Sequence, residues 1–392
     1  MLWGFPLAFG IFQSYYSEHF LFKNNKNIPT IGTLATGTSY LGMPLINAIV
    51  LRWPRHQRAL CFFGWLLCIG GLVAASFATK VWHLLLSQGL LYGIGWVTCY
   101  TPFLFMLNSW FIEKRGLAYG ILFCASGVSG LVIPLAVGFL LDRFEFRVAL
   151  RCYAVVTIVV SGPGFFLIKP RTSSSSSSNR ANDPRKPTDS LARVLRSPHF
   201  AVFAAAIFVQ GLAFFLPNIF LPSYASSLSL PLASANSLLA LLSLSQVAGQ
   251  LTLGYVSDMS NPYYPTSLAA LVSGLGAVFL WGPAKGMWRL VPFSLLWGFS
   301  SASYSVLYMS VCTFLTADAD VAMTVYGVFS FERGVANVLE GPISAWLIGE
   351  GSKVVIEDFA LGRYEGVVWF TGVCMFLSSL GAAGLLLRKR SK

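Results

Sequence analysis

Apolar runs of roughly twenty residues recur along the whole 392-residue chain and give way only once to a long polar stretch, between Lys169 and Pro198. A helix needs about 20 such residues to cross a hydrocarbon core about 30 Å thick, at 1.5 Å of rise per residue. Only helices and closed barrels satisfy their backbone groups in that medium, and the length of these runs selects helices. The polar stretch carries six consecutive serines, Ser173 to Ser178, then Asn179, Arg180, Asn182, Asp183 and Pro184. Such a composition buries too little apolar surface to order itself. The chain therefore reads as two membrane halves, 1–169 and 199–392, joined by a flexible linker at 170–198.

The spans run approximately from Leu2 to Tyr16, Ile31 to Leu51, Ala59 to Ala78, Trp82 to Leu107, Leu117 to Leu141 and Val148 to Ile168, then from Phe200 to Tyr224, Ser234 to Val256, Tyr263 to Trp281, Leu290 to Phe314, Val321 to Ile348 and Val367 to Leu387. The expectation is an all-α membrane protein of twelve transmembrane helices in two pseudo-symmetric six-helix bundles. The first span is short, about 22 Å of helix, which predicts that Met1 is internal to a longer protein. A cleaved signal peptide fits less well, because no basic segment precedes the apolar run.

Charge gives orientation. A net +12 with only 11% charged residues would suggest nucleic acid in a soluble protein, but most Lys and Arg lie between apolar spans, where they set topology. Sixteen basic residues fall on the side of the linker and the C-terminal Arg388, Lys389, Arg390 and Lys392, against ten on the other. This places both termini and the linker in the cytoplasm, with the plasma membrane expected and an internal membrane as the alternative. The seven cysteines form no CxxC pair and the four histidines stand singly, so packing and interfacial roles are expected and metal ligation is not. Nor is there a GxxxxGKS/T phosphate loop for ATP-driven pumping.

The halves repeat each other. Leu90-Leu91-Tyr92-Gly93 in the fourth span recurs as Leu295-Leu296-Trp297-Gly298 in the tenth, and Gly120, Gly127 and Val128 in the fifth recur as Gly327, Gly334 and Val335 in the eleventh. Agreement in span number and offset predicts duplication, the sequence trace of many transporter folds.

At the junction of the fourth and fifth spans, Trp110-Phe111-Ile112-Glu113-Lys114-Arg115-Gly116-Leu117-Ala118-Tyr119-Gly120 resembles the signature of the monocarboxylate transporter family, within the major facilitator superfamily. Gly254-Tyr255-Val256-Ser257-Asp258 resembles the superfamily's loop motif. Phe146 to Arg151, Leu221 to Ala225 and Arg333 to Pro342 resemble its fungal branch. The resemblance implies the major facilitator fold and transport of a small organic solute, a monocarboxylate-like anion, by secondary active or facilitative alternating access. It brings no catalysis, no nucleic acid and no cofactor beyond a coupling proton, and leaves oligomeric state open, with a monomer compatible. A non-transporting sensor on the same fold and a non-functional truncated transporter are the alternatives. Two departures count against wholesale inheritance: the family's acidic, glycine-rich opening is absent, and the eighth span offers Gln246 and Gln250 with no charge between Ser234 and Val256.

Within the spans as bounded, only the eleventh carries formal charge well inside it, at Glu332, Arg333 and Glu340. An arginine at mid-membrane costs about 2.5–3.5 kcal/mol on insertion scales, so it should face the interior with a partner. Asn337 and Glu340 share its helical face, which points to a guanidinium that holds an anion, with Glu340 as a proton acceptor. A permanent pairing that fastens helices is the competing reading. Asn218, Tyr224 and Gln246 complete the expected substrate and proton pathway. Asp258 is expected beside Lys114, Arg115 and the N–H groups around Gly116, where it would brace a conformational gate. Ser190 to Arg196 reads as a short helix on the inner leaflet or as a solvated loop.

Overall fold

The computed structural model describes residues 2–18, 22, 28–111, 114–167, 187–316, 318–349 and 359–390. Most of the serine-rich linker lies outside the described residues. Among them, twelve apolar helical rods follow the predicted spans: Gly4–Glu18; Ile28–Leu41 with Met43–Arg52; Gln57–Ala75; Val81–Trp110; Arg115–Arg143; Phe146–Leu167; Pro198–Gly211 with Leu216–Ser227; Leu232–Met259; Tyr263–Gly276 with Ala277–Trp281; Met287–Ser300 with Tyr304–Leu315; Ala319–Gly349; and Glu365–Arg390. Ten are long and apolar enough to cross a membrane. The first is too short at 15 residues, and the eleventh, which carries the interior charges, also falls outside the ten. A thirteenth helix, Pro187–Leu195, precedes the seventh span, with Arg193 and Arg196 exposed beside it.

Three rods that the sequence reads as continuous are broken, each for a local reason. In the second, the chain turns at Gly42 and restarts with Pro44 in the first turn, where a missing N–H costs nothing. The seventh is interrupted over Leu212 to Phe215 ahead of Pro217. The tenth opens at Ser301 to Ser303 without a proline: Ser300 Oγ donates to the Leu296 carbonyl at 2.7 Å and Ser303 Oγ to that of Phe299 at 2.6 Å. Hydroxyls that bond carbonyls one turn back compete with the helical ladder and bend it.

The helices gather into two compact units. Unit 1 comprises Met1–Ile112, Val132–Ala192 and Asp318–Gly334; unit 2 comprises Glu113–Leu131, Arg193–Ala317 and Val335–Lys392. Unit 1 is anchored by aromatic packing, Phe5 on Tyr92 at 4.8 Å and Tyr16 edge-on to Phe146 at 5.6 Å. In unit 2 the Trp281 ring stacks on Phe293 at 5.3 Å and meets Tyr224 edge-on at 6.1 Å.

Each unit uses the repeated glycines in the same way. A Cβ on Gly93 would meet the Ala35 carbonyl and Thr38 in unit 1, and one on Gly298 would meet the Leu242 carbonyl and Ser245 in unit 2. Likewise Gly334 lies against Tyr40, and Gly127 against Val247, each built Cβ coming to 2.7 Å. The residues met are themselves related by one constant offset, so the duplication extends from sequence to contacts.

Candidate functional site

The fifth span begins at Arg115, and its first backbone N–H groups have no partner within the helix. A side chain at the preceding position commonly caps them, but that position holds Lys114, an exposed cation. The cap comes instead from the end of the eighth span. The Gly116 N–H donates to Asp258 Oδ1 at 2.6 Å and the Leu117 N–H to Oδ2 at 2.8 Å. The approach needs glycine: a Cβ at Gly116 would meet the Gly254 carbonyl, Ser257 Oγ and, at 2.8 Å, Asp258 Oδ1. Further along the same two helices a Cβ at Gly120 would come 2.5 Å from the Gln250 carbonyl. Asp258 is therefore placed where its charge faces the positive end of a helix dipole. Arg115 is half-buried at the same helix start.

In unit 1 the second and eleventh spans meet through the equivalent glycines without a carboxylate. The position that the repeat aligns with Asp258 is Leu51. One turn earlier Asn47, 2% exposed, donates from Nδ2 to the Met323 carbonyl at 2.8 Å. Asn47 was not among the residues expected from sequence. Its signal was a single amide in an apolar span at the position aligned with Gly254. The eleventh helix caps itself, with Asp318 Oδ1 accepting from the N–H of Asp320 at 2.9 Å and of Val321 at 3.3 Å.

Arg333 is 1% exposed near the middle of the eleventh helix, with Glu340 on the same face at 2%. Arg333 lies in unit 1, where the next residue, Gly334, packs against Tyr40. Asn337 and Glu340 belong to unit 2. Glu332 is half-buried, about 100° around the helix from Arg333. Among the described residues, neither polar atom of the Asn337 carboxamide has a hydrogen-bond partner.

Two expected pathway residues are occupied by packing. Tyr224 is fully buried and its hydroxyl donates to the Ala284 carbonyl at 2.9 Å, so it anchors the turn after the ninth span. Gln246 donates from Nε2 to Ser126 Oγ at 3.0 Å, fastening the eighth span to the fifth. Asn218 is half-buried just after the break in the seventh span. Gln250 is 1% exposed and reaches from Nε2 toward the Ala302 carbonyl, freed by the break in the tenth span, at 3.4 Å. No group of three or more His, Cys, Asp or Glu side chains suited to a metal ion occurs among the described residues.

The arrangement offers a buried cation with acidic and amide neighbours along one helix, and helix pairs in glycine contact. The family model of the Major Facilitator Superfamily matches residues 2–339. The chain is 27% identical over 353 residues to "MFS-type transporter 1" of Ophiocordyceps, covering 87% of this chain and 75% of that one. It is 26% identical over 379 residues to the "Fujikurins efflux protein" of Gibberella fujikuroi, covering 96% and 78%. To "Monocarboxylate transporter 12-B" of Danio rerio it is 26% identical over 402 residues, covering 94% and 81%. Among solved structures, the fucose:proton symporter of E. coli superposes with a TM-score of 0.71 over 98% of this chain and 95% of that one, at 14% identity, a likeness of fold.

Proposed function

Because the chain belongs to the major facilitator superfamily and is a membrane transporter, we propose that it carries a small organic anion of monocarboxylate type by alternating access, with Arg333 as the anchor for the anionic group. One observation carries this reading: a guanidinium buried to 1% exposure in the middle of a membrane helix. Arginine there is costly, and it suits a solute whose carboxylate can accept two parallel N–H donors. Asn337 offers a neutral amide on the same helical face, and Glu340, about two turns further along, serves as the proton acceptor. A coupling proton exchanged at Glu340 or Glu332 would make the transport active. Asp258, with Lys114, Arg115 and Gly116, serves as the gate: its cap on the fifth helix steadies the state in which the cytoplasmic side is closed. Relatives named as a monocarboxylate transporter and as an efflux protein support the anion class and leave both directions of transport within the reading.

The test uses full-length protein in sealed vesicles and a panel of radiolabelled monocarboxylates. Arg333→Lys keeps the charge and loses the planar fork, so it should raise the half-saturating concentration about tenfold or more while protein level and insertion persist. Normal transport by both Arg333→Lys and Arg333→Gln, with correct insertion, would show that Arg333 does not hold the solute. Loss of protein alone would show that it fastens helices.

A further inference from the structure

We propose that unit 1 contains a stacking subsite for a planar aromatic or conjugated organic anion, formed by Trp3, Tyr40, Trp96 and Tyr100 next to Arg333. This deepens the organic-anion reading above and rests on it. The four rings come from the first, second and fourth spans. Trp3 meets Tyr40 edge-on at 5.7 Å and Trp96 at 4.6 Å, and Trp96 stacks on Tyr100 at 4.4 Å with only 21° between the planes. Trp96 forms the buried floor at 6% exposure. Trp3, Tyr40 and Tyr100 are half-buried. Arg333 brings positive charge to the same helix contact, since its neighbour Gly334 lies against Tyr40.

The plainer explanation is that these rings only fill the core, and the internal repeat weighs against it. The register that aligns Gly334 with Gly127 aligns Arg333 with Ser126, and the glycine contacts pair Tyr40 with Val247. The register that aligns Tyr92 and Gly93 with Trp297 and Gly298 aligns Trp96 with Ser301 and Tyr100 with Ser305. At the aligned positions unit 2 holds Val247, Ser126, Ser301 and Ser305, and it keeps the close contacts of Gly127 and Gly298. Packing of this fold requires neither the rings nor the cation at these positions. What they add is chemistry: aromatic faces favour offset or edge-on partners, and a guanidinium both takes a carboxylate bidentately and tolerates aromatic neighbours. A small aliphatic carboxylate would use only the guanidinium. A planar aromatic acid would use both.

The experiment measures binding of 2-naphthoate and of its ring-saturated counterpart, decahydro-2-naphthoate, to the full chain in lipid nanodiscs, by quenching of tryptophan fluorescence and by displacement of labelled 2-naphthoate. The expected result is about tenfold tighter binding of 2-naphthoate, the ratio that two ring contacts supply. Tyr40→Leu and Tyr100→Leu should each remove most of that preference, and Arg333→Lys should weaken both ligands together. Equal binding of the two acids, each dependent on Arg333, overturns the stacking subsite and leaves the organic-anion reading standing. Binding of neither, or binding of both without dependence on Arg333, overturns both. If the tyrosine variants do not fold, the wild-type ratio decides alone.

Discussion

The fifth and eleventh helices are repeats of one another, yet their first turns are held in opposite ways. The fifth receives its cap from Asp258 on the eighth span, 141 and 142 residues away in sequence. The eleventh is capped by its own Asp318, two and three residues from the groups it serves. A cap supplied by another helix resists separation of the two helices, because parting them leaves helix donors and a carboxylate without partners. A local cap stabilises its helix whether or not a neighbour is present. The second and eleventh spans are joined instead by the neutral Asn47 amide. Salt and charge should therefore bear on the contact between the fifth and eighth spans and hardly on that between the second and eleventh.

The largest way to break this contrast is Gly116→Val. Its side chain would drive into the Gly254 carbonyl and Asp258, costing about 3 kcal/mol through overpacking together with loss of the cap. The check is a fall in thermal midpoint and loss of crosslinking between cysteines placed on the fifth and eighth spans; unchanged crosslinking would show that the close approach is dispensable. Asp258→Asn comes next. One amide oxygen replaces two carboxylate oxygens, the helix dipole loses its counter-charge, and about 1–2 kcal/mol should go. Transport rate and accessibility to a membrane-impermeant thiol reagent should both shift, with the salt dependence of the wild type abolished. If rate and accessibility stay at wild-type values, Asp258 is a solvated loop carboxylate in function. Asn47→Leu should cost about 1 kcal/mol, the net worth of one neutral hydrogen bond, with no change in salt dependence. Asp318→Ala should have the smallest effect: fraying of the eleventh helix seen by hydrogen exchange at its first turn, with crosslinking between the second and eleventh spans unaltered.

Much of this was readable in advance because each relevant signal is local. The rods follow from the length of apolar runs, and the placement of Asp258 followed from a carboxylate at the end of one repeat helix and a glycine-rich start on another. Other features were beyond local reading. The tenth span looks continuous because serines are tolerated in helices, and only the capture of carbonyls by the Ser300 and Ser303 hydroxyls opens the turn. Nothing in the sequence around Tyr224 shows that its hydroxyl donates to the Ala284 carbonyl, sixty residues away. Asn47 and the aromatic wall were missed because an amide or a ring in an apolar span has no distinctive spacing.

By itself the sequence determined the medium, the helical class, the duplication and the single membrane helix that carries charge in its interior, since hydrophobic length and the cost of buried charge act residue by residue. Only the tertiary structure decided which helix start is capped from afar, which polar groups are occupied in packing and which rings gather around Trp96. Those outcomes depend on the faces that separate helices present to one another, and glycine contacts set them to within a few tenths of an ångström.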